Sequence, residues 1–246
     1  STTEKDLREV RLKKASSMRA QGINPYPHKF SITHPTKTLH NAYAYLEDAT
    51  ETDDVVSVAG RIRAIRNSGM FIDLQDSEGA IQIFSSLKTL PPEKIALLDL
   101  LDIGDWIGVT GTVRRTKRGE LTVNNDTLVI LSKALRPLPE KYHGLTDIET
   151  RYRQRYVDLI VNKESADRLR KRSVIIASIR QFLAEHGFLE VETPMLHLIP
   201  GGASAKPFLT HHNALNLPMY LRIAPELYLK RLMVGGLSDK IFEINR

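Results

Sequence analysis

Residues 175–196, with the sequence IIASIRQFLAEHGFLEVETPML, decide how the second half of the chain is organised. Apolar residues recur at helical spacing in the first part of this stretch, which predicts a helix with one apolar face that needs a partner surface. Gly187 follows the last periodic residue and predicts the end of that helix. Residues 188–192 alternate apolar and acidic side chains, so they predict a short strand. The strand ends at Pro194, because proline has no backbone N–H.

The composition restricts the class of protein. The 246 residues are 41% hydrophobic, which allows one large domain or two ordinary ones. The absence of cysteine excludes disulfides, thiolate metal sites and cysteine nucleophiles. There is no signal-peptide pattern and no apolar run near the ~20 residues that span a bilayer, so we expect a soluble, cytoplasmic protein. Lysine and arginine outnumber the acids 35 to 29, and this net charge of +6 favours a polyanionic partner only slightly.

Residues 2–21 are charged and favour a helix, with a capping-box pattern at its start. The simpler interpretation is a solvated helix. The alternative is a basic brace for a nucleic-acid backbone, whose contribution would depend on salt and not on sequence. The side chains concerned are Arg8, Arg11, Lys13, Lys14 and Arg19.

After a polar connector, residues 55–131 alternate apolar and polar side chains in short runs separated by turns. The strand-like runs are residues 55–66, 70–76, 80–84, 106–114 and 121–131. A helical run starting at Pro91 and Pro92 separates the third run from the fourth. Three strands, a helix and two strands in about 80 residues is the element order of an OB-fold, a five-stranded barrel that binds oligonucleotides across strands 2 and 3.

Side-chain parity predicts a base-binding face on the second strand. Ile72 and Leu74 share one face, so Phe71 lies on the opposite, polar face. An aromatic ring among polar neighbours on such a sheet is a platform for an unpaired base, and the stack is worth ~1–3 kcal/mol. The alternative interpretation is that Phe71 packs beneath a loop.

The third strand adds a polar side chain that could recognise a base. Ile81 and Ile83 are expected to join the apolar set, with Gln82 and Phe84 on opposite faces of the strand. The amide of Gln82 both donates and accepts hydrogen bonds, so it can read base edges. Basic residues of the first strand and its loop are predicted to hold phosphates, although they could also be ordinary barrel surface; they are Arg61, Arg63 and Arg66.

A linker follows the barrel. Prolines and a glycine between residues 135 and 158 interrupt any regular element, and arginines at alternate positions predict that a helix leads into the next domain. We therefore predict an N-terminal domain at residues 1–140, a linker at 141–161 and a second domain at 162–246.

Several passages resemble one family of enzymes. Within the opening stretch, GF at 187–188 and VETP at 191–194 resemble motif 1 of the class II aminoacyl-tRNA synthetases, through which those enzymes dimerise. ALRPLPEKYHGLTDIETRYRQRYVDLI at 134–160, IPGGASAKPF at 199–208 and RIAPELYLK at 222–230 extend the likeness. In order, and across nearly the whole chain, they are similar to the N-terminal half of the bacterial-type lysyl-tRNA synthetase family.

The resemblance implies an α+β protein in which a helix and an OB-fold bind the tRNA anticodon. The first part of an antiparallel-sheet catalytic domain then follows. It implies lysine activation with ATP and Mg²⁺, transfer to tRNA-Lys, and a homodimer. Phe71 matches the phenylalanine that stacks on the central anticodon uridine. Gln82 matches the glutamine that recognises this uridine, and Phe84 matches a further aromatic on the anticodon side.

The same resemblance assigns an amino acid site and a dimer surface. Gly202 and Glu226 match positions that bind the α-amino group of lysine, through a backbone carbonyl and a carboxylate. An ammonium group donates three hydrogen bonds, and charge-assisted ones are the stronger kind. The expected dimer contacts are Ile179, Phe182, Leu183 and Pro194.

In one respect the chain departs from the family pattern. That pattern continues beyond FEINR at 242–246 into an arginine that holds the α-phosphate of ATP, and its magnesium-binding acids come later still. We therefore expect no catalytic residue and no metal ligand in this chain, as in a truncated polypeptide or a proteolytic fragment. The alternatives are a tRNA anticodon-binding module without catalysis and a relative of the aspartyl and asparaginyl enzymes. Glu226 disfavours the latter, because the aspartyl enzymes resemble SPQ there; an unrelated OB-fold with a helical tail is a third alternative.

Overall fold

The computed structural model describes residues 3–139 and 145–245, which form two compact units, one ending at Arg153 and the other beginning at Gln154. The end of the first domain at residue 140 and the start of the second at residue 162 stay a prediction. In chain order the first unit contains α1 (Glu4–Ala20), α2 (Thr36–Ala42), β1 (Glu51–Arg66), β2 (Phe71–Gln75), β3 (Ala80–Phe84), α3 (Pro92–Asp99), β4 (Trp106–Arg115), β5 (Leu121–Asn124), β6 (Thr127–Ser132) and α4 (Ile148–Arg153).

Strands β1 to β6 form a closed barrel. Their order is β1-β2-β3-β5-β4-β6, and β1 also pairs with β4, which closes the ring. The OB-fold prediction is thus confirmed. One detail is wrong: the predicted last strand, residues 121–131, divides at Asn125 and Asp126. Their N–H groups donate to the carbonyls of Phe84 (2.8 Å) and Thr110 (3.1 Å), so β5 and β6 pair separately.

The hydrophobic core fills the barrel. Ile72 and Leu74 are fully buried, as their parity predicts. Two strands approach closely at Gly111, where a Cβ would lie 1.6 Å from the carbonyl oxygen of Asn124; glycine is therefore required there. The remaining barrel side chains of the core are Val56, Val58, Ile62, Ile81, Ile83, Ile107, Val109, Val113, Leu121, Val123 and Ile130.

Helix α1 begins with the predicted capping box and is anchored to the first unit by two of its basic residues. The Arg11 guanidinium is buried and donates to the carbonyls of Ala134 (3.0 Å) and Arg136 (3.2 Å). Lys14 forms an ion pair with Asp102 at 2.9 Å. The idea that Arg11 and Lys14 brace a nucleic acid is therefore wrong, because their donors hold the helix in place.

A buried ion cluster lies next to this anchor. The side chains of Lys133 and Asp105 are both 0% exposed, with 2.7 Å between Nζ and Oδ2. Lys133 also donates to Asp102 at 2.5 Å and to the carbonyl of Leu100 at 2.9 Å. The lysine thus has three acceptors, which offset the cost of burying its charge.

The polar connector contains a helix that the sequence did not predict. Helix α2 has Leu39 as its buried apolar residue, too weak a pattern to signal a helix. Asp76 accepts hydrogen bonds from the N–H and hydroxyl of Thr36, both at 2.7 Å, and from the N–H groups of Glu78 and Gly79, both at 2.8 Å. Burial alone would raise the pKa of Asp76, but these four donors prevail and lower it.

The second unit contains α5 (Arg155–Val161), α6 (Lys163–Glu185), β7 (Leu189–Glu190), β8 (Leu196–His197), β9 (Leu209–His212), β10 (Leu217–Leu221), α7 (Glu226–Val234) and β11 (Ile241–Phe242). Strands β8, β10 and β9 form an antiparallel sheet, while β7 and β11 form a separate parallel pair. The predicted stop at Gly187 is confirmed: φ is +79°, and the N–H of Phe188 returns to the carbonyl of Leu183 at 3.0 Å. The strand that follows is shorter than the predicted 188–192.

Apolar side chains remain exposed in the second unit. Every buried hydrophobic residue of the described part of the chain belongs to the first unit. Ile179 is 46% and Phe182 58% exposed, Leu183 is half-buried and Pro194 is exposed. The predicted linker lies partly outside the described residues, and its described part forms α4 and α5.

Candidate nucleic-acid interface and amino acid site

Two phenylalanine rings form a pair on the outer face of the barrel, and one of them, Phe71, lines a groove there. Phe71 opens β2, Phe84 ends β3, and the two residues are register partners. Their ring centroids are 5.3 Å apart with an interplanar angle of 50°, within the range of favourable aromatic pairs. Both side chains are half-buried, and the Phe71 side chain lines the groove.

Gln82 lies on the same face as Phe84, which corrects the expectation that they lie on opposite faces. The two residues are two positions apart on a strand whose pairing with β2 has no register shift, so their side chains point the same way. The Thr122 hydroxyl oxygen lies 3.1 Å from Gln82 Oε1 and 3.2 Å from the carbonyl of Glu120. Thr122 therefore restrains the Gln82 amide beside the rings.

Basic side chains surround these rings. A cavity of about 850 Å³, which we call the basic groove, has among its lining residues Arg66, Phe71, Gln82, Arg114, Lys117 and Arg118. The loop between β4 and β5 supplies Lys117 and Arg118, which are exposed and have no acidic partner among the described residues. The sequence showed this loop as a turn but gave it no role, because only barrel closure brings it to Phe71.

Arg66 is the one predicted phosphate-binding arginine that lines the groove. It is the register partner of Phe71 and forms a two-pronged ion pair with Asp73, at 2.6 and 2.8 Å. The hydrogen bonds with Asp73 raise the pKa of Arg66 above its ordinary value, although burial opposes them. Both side chains of this ion pair are partly exposed, so the pair contributes little to the stability of the fold. Its effect is to hold the Arg66 side chain in place.

Arg61 and Arg63 do not line the groove. Arg61 pairs with Gln75 at the other end of β2, donates to the carbonyl of Gly104 at 3.0 Å and lies over the Trp106 ring at 5.4 Å. The register of β1 against β2 shifts at Arg63. Burial lowers the pKa of both arginines. Two of the three predicted phosphate-binding arginines are therefore not among the residues that line the groove.

Gly202 and Glu226 are brought together in the second unit. Gly202 has φ of +85°, and a Cβ added there would lie 3.0 Å from Glu226 Cβ and 3.3 Å from Ala224 Cβ. The residues lie 24 positions apart in the sequence, so this contact is a tertiary one. Glu226 is the first residue of α7, and its Oε1 accepts from Lys230 at 2.5 Å while the carboxylate remains about half exposed.

A buried network that the sequence did not reveal joins the two sheets of this unit. Arg222 Nη1 donates to Glu243 at 2.6 Å and to Thr193 Oγ1 at 3.0 Å, and Thr193 Oγ1 donates to the second oxygen of Glu243 at 2.7 Å. The Arg222 and Glu243 side chains are 8% and 4% exposed. Burial would raise the pKa of Glu243, but the hydrogen bonds from Thr193 and Arg222 lower it. The network ties the end of the motif 1 stretch to β11.

Among the described residues, no group of three histidine, cysteine, aspartate or glutamate side chains could hold a metal ion. Across those same residues, no helix is both long and apolar enough to cross a membrane.

Comparison with known proteins identifies families that the two units of the chain resemble. Residues 147–246 match the family described as tRNA synthetases class II (D, K and N), and residues 56–131 match the OB-fold nucleic acid binding domain. The second unit thus matches the class II tRNA synthetase family, and the barrel matches a nucleic acid binding OB-fold.

Within that family the chain is similar to lysine–tRNA ligases over almost its entire length. It is 59% identical to the lysine–tRNA ligase of Rhizobium meliloti (strain 1021) over 98% of the chain and 48% of that relative. It is 54% identical to the lysine–tRNA ligase of Carboxydothermus hydrogenoformans over 98% of the chain and 49% of the relative. The chain thus spans about half the length of the curated relatives it matches.

Proposed function

We propose that the basic groove binds the anticodon of tRNA-Lys and that the chain is part of a lysine–tRNA ligase. The observation that carries the proposal is that Phe71, paired with the Phe84 ring, lines a groove together with Gln82 and several basic residues. Stacking on an aromatic ring tolerates any base, whereas hydrogen bonds from an amide distinguish one base from another. Phe71 would stack on the central uridine and Gln82 would recognise its edge.

The charges of the groove support the same proposal. Uracil is uncharged, but the backbone on either side of it carries phosphates. These phosphates would contact Lys117 and Arg118, which are exposed. Arg66 is held by Asp73 at the end of β1, next to Phe71. A flexible loop of unpaired nucleotides can place a base on the rings and its phosphates on the rim at the same time.

Fluorescence anisotropy with RNA hairpins tests the anticodon proposal. One hairpin carries UUU in its loop, and the other carries UCU. We expect Phe71→Ala to weaken binding of UUU by about 5- to 150-fold, corresponding to a stacking free energy of ~1–3 kcal/mol. The UCU hairpin should lose less affinity. Only the central uridine also binds Gln82, so a cytosine would be held less firmly against the Phe71 ring. Phe71→Tyr keeps the ring and is the matched control. Equal losses for the two hairpins would contradict the assignment.

In the second unit, we propose that the Glu226 carboxylate and the Gly202 carbonyl bind the α-ammonium group of lysine. The two residues are close neighbours, since a Cβ at Gly202 would lie 3.0 Å from Glu226 Cβ, and a carboxylate is a suitable partner for an ammonium group. Because Lys230 already bonds to Oε1, the substrate would either share the carboxylate or displace that lysine. ATP and Mg²⁺ are the further ligands of the proposed enzyme, and we assign them no residue of this chain.

Pyrophosphate exchange on the full-length protein tests which amino acid is activated. We expect exchange with lysine and not with aspartate or asparagine. Glu226→Gln should raise the KM for lysine while leaving the KM for ATP nearly unchanged, because the amide cannot carry the negative charge. Exchange that depends on aspartate or asparagine would favour the alternative relatives within the same family.

A second candidate is a tRNA-binding module without catalysis. The observation in its favour is that the basic groove lies entirely within the first unit, so anticodon binding does not require the second. This candidate predicts that the 246-residue chain binds the UUU hairpin but supports no lysine-dependent exchange. Exchange by this polypeptide at the level of the full-length protein would exclude the candidate.

We also propose that the chain forms a homodimer in the cytoplasm through the exposed apolar face of α6. Ile179 and Phe182 expose about half of their surface, and burying such side chains in an interface is favourable. Light scattering at increasing concentration should show the dimer, and Phe182→Glu should shift it toward monomer. A wild-type monomer at high concentration would contradict the proposal.

A further inference from the structure

Arg114, on β4, contacts both the ring pair and an acidic residue of β1. Its guanidinium carbon lies 4.1 Å from the centroid of Phe84, and the Phe84 centroid is in turn 5.3 Å from that of Phe71. Arg114 Nη1 lies 3.2 Å from Glu51 Oε1, and the two residues are register partners on β4 and β1. Arg114, Phe84 and Phe71 thus form a continuous series of contacts that ends where a base would stack.

These contacts distinguish Arg114 from a phosphate-binding cation. Its side chain is only 19% exposed and its charge is paired with Glu51. Its Nε is buried and has no hydrogen-bond partner among the described residues. An unpaired buried N–H costs free energy, and stacking on Phe84 is a contact that can offset this cost. Lys117 and Arg118, by contrast, are exposed.

We propose that Arg114 is a positioning residue for base recognition, fixing Phe84 and through it the ring plane of Phe71, while Glu51 holds the guanidinium in place. The inference rests on the proposed function of the basic groove and names residues that act on the same site. Lysine cannot replace arginine in this role, because an ammonium group has no planar face to lay on a ring.

Two substitutions in the 246-residue chain separate the charge of Arg114 from its shape. Arg114→Lys keeps the charge and loses the planar group; Arg114→Met loses both. The dissociation constants of the UUU and UCU hairpins are measured over a series of KCl concentrations. We expect both variants to weaken UUU binding about two- to fivefold, as for a cation–π contact near a surface. Binding of UCU should weaken less, and the slope of log affinity against log KCl concentration should not change. Lys117→Met is the matched control. It should make the plot of log affinity against log salt less steep by about 0.7, equally for both hairpins.

Glu51→Gln provides an independent variant. If Glu51 positions Arg114, this change reduces the preference for UUU over UCU. If Arg114 contacts phosphate instead, removing the acid strengthens binding of both hairpins. Thermal unfolding followed by tryptophan fluorescence shows whether each variant is folded.

The outcomes separate this inference from the proposed function. The positioning role would be overturned if Arg114→Lys bound the hairpins with wild-type affinity, or if the salt dependence became less steep in Arg114→Met alone. Either result would leave the anticodon proposal intact. A wild-type chain without preference for UUU over UCU would overturn the anticodon proposal, and the inference with it.

Discussion

The salt dependence of RNA binding should be set by two residues of the loop between β4 and β5. Arg66 and Arg114 are each paired with a carboxylate, whereas Lys117 and Arg118 are exposed without an acidic partner among the described residues. Two phosphate contacts predict a slope of about −1.4 for log affinity against log salt, using about −0.7 for each contact with a single strand. Affinity should then fall about sevenfold between 50 and 200 mM KCl, and about 2.6-fold in Lys117→Met.

The assay is fluorescence anisotropy of a labelled hairpin over a range of about 50 to 400 mM KCl, in which the affinity should change measurably. A short hairpin is used because it limits contacts with the exposed basic residues of α1. The double variant Lys117→Met with Arg118→Met should bind with almost no salt dependence, while Lys37→Met, at an exposed position of α2, should behave as wild type. The reasoning is refuted if the double variant keeps the wild-type slope, because paired arginines would then be contacting the phosphates.

Three further predictions concern the second site and the stability of the first unit. Gly202→Ala should raise the KM for lysine of the full-length protein about 5- to 30-fold, because an L-residue at positive φ costs ~1–2 kcal/mol and its Cβ would press on Glu226; an unchanged KM would count against the lysine site. Lys133→Met should lower the free energy of unfolding of the first unit by ~3–5 kcal/mol, since it leaves the Asp105 charge buried; urea unfolding followed by the single tryptophan measures this, and a loss below about 1 kcal/mol contradicts it. The pKa of Asp76 is lower in the folded than in the unfolded state, so its stabilising contribution is present above pH ~4 and is lost as the pH falls through the folded pKa; Asp76→Asn should remove this part of the acid dependence, and identical acid unfolding curves would refute it.

Features with a local cause were predictable from the sequence. The alternation of Ile72 and Leu74 placed Phe71 on the outer face, because side chains on a strand point to opposite sides in turn. The same rule places Gln82 and Phe84 together, and the expectation that they lie on opposite faces was a wrong application of it. The glycine stop of α6 was predictable for the same reason: it depends on one residue and its neighbours.

The composition of the sites could not be predicted in the same way. Arg61 is near Phe71 in sequence but pairs at the far end of β2, whereas Lys117 is distant in sequence and lines the groove. Arg11 and Lys14 look like a basic surface in the sequence, yet their donors are used within the first unit. Which cations remain available to a ligand depends on barrel closure, which a one-dimensional pattern does not contain.

By itself, the sequence determined the OB-fold element order, the end of α6 at Gly187, the aromatic on the polar face and the family resemblance, because these follow from short-range periodicity and from residue identity. Only the tertiary structure decided that Arg114 lies over Phe84, that Gly202 meets Glu226, and that Arg222 joins Thr193 to Glu243. The physical reason is that each of these contacts joins residues more than 20 positions apart. Their partners are chosen by strand register and packing, and not by the neighbouring residues in the chain.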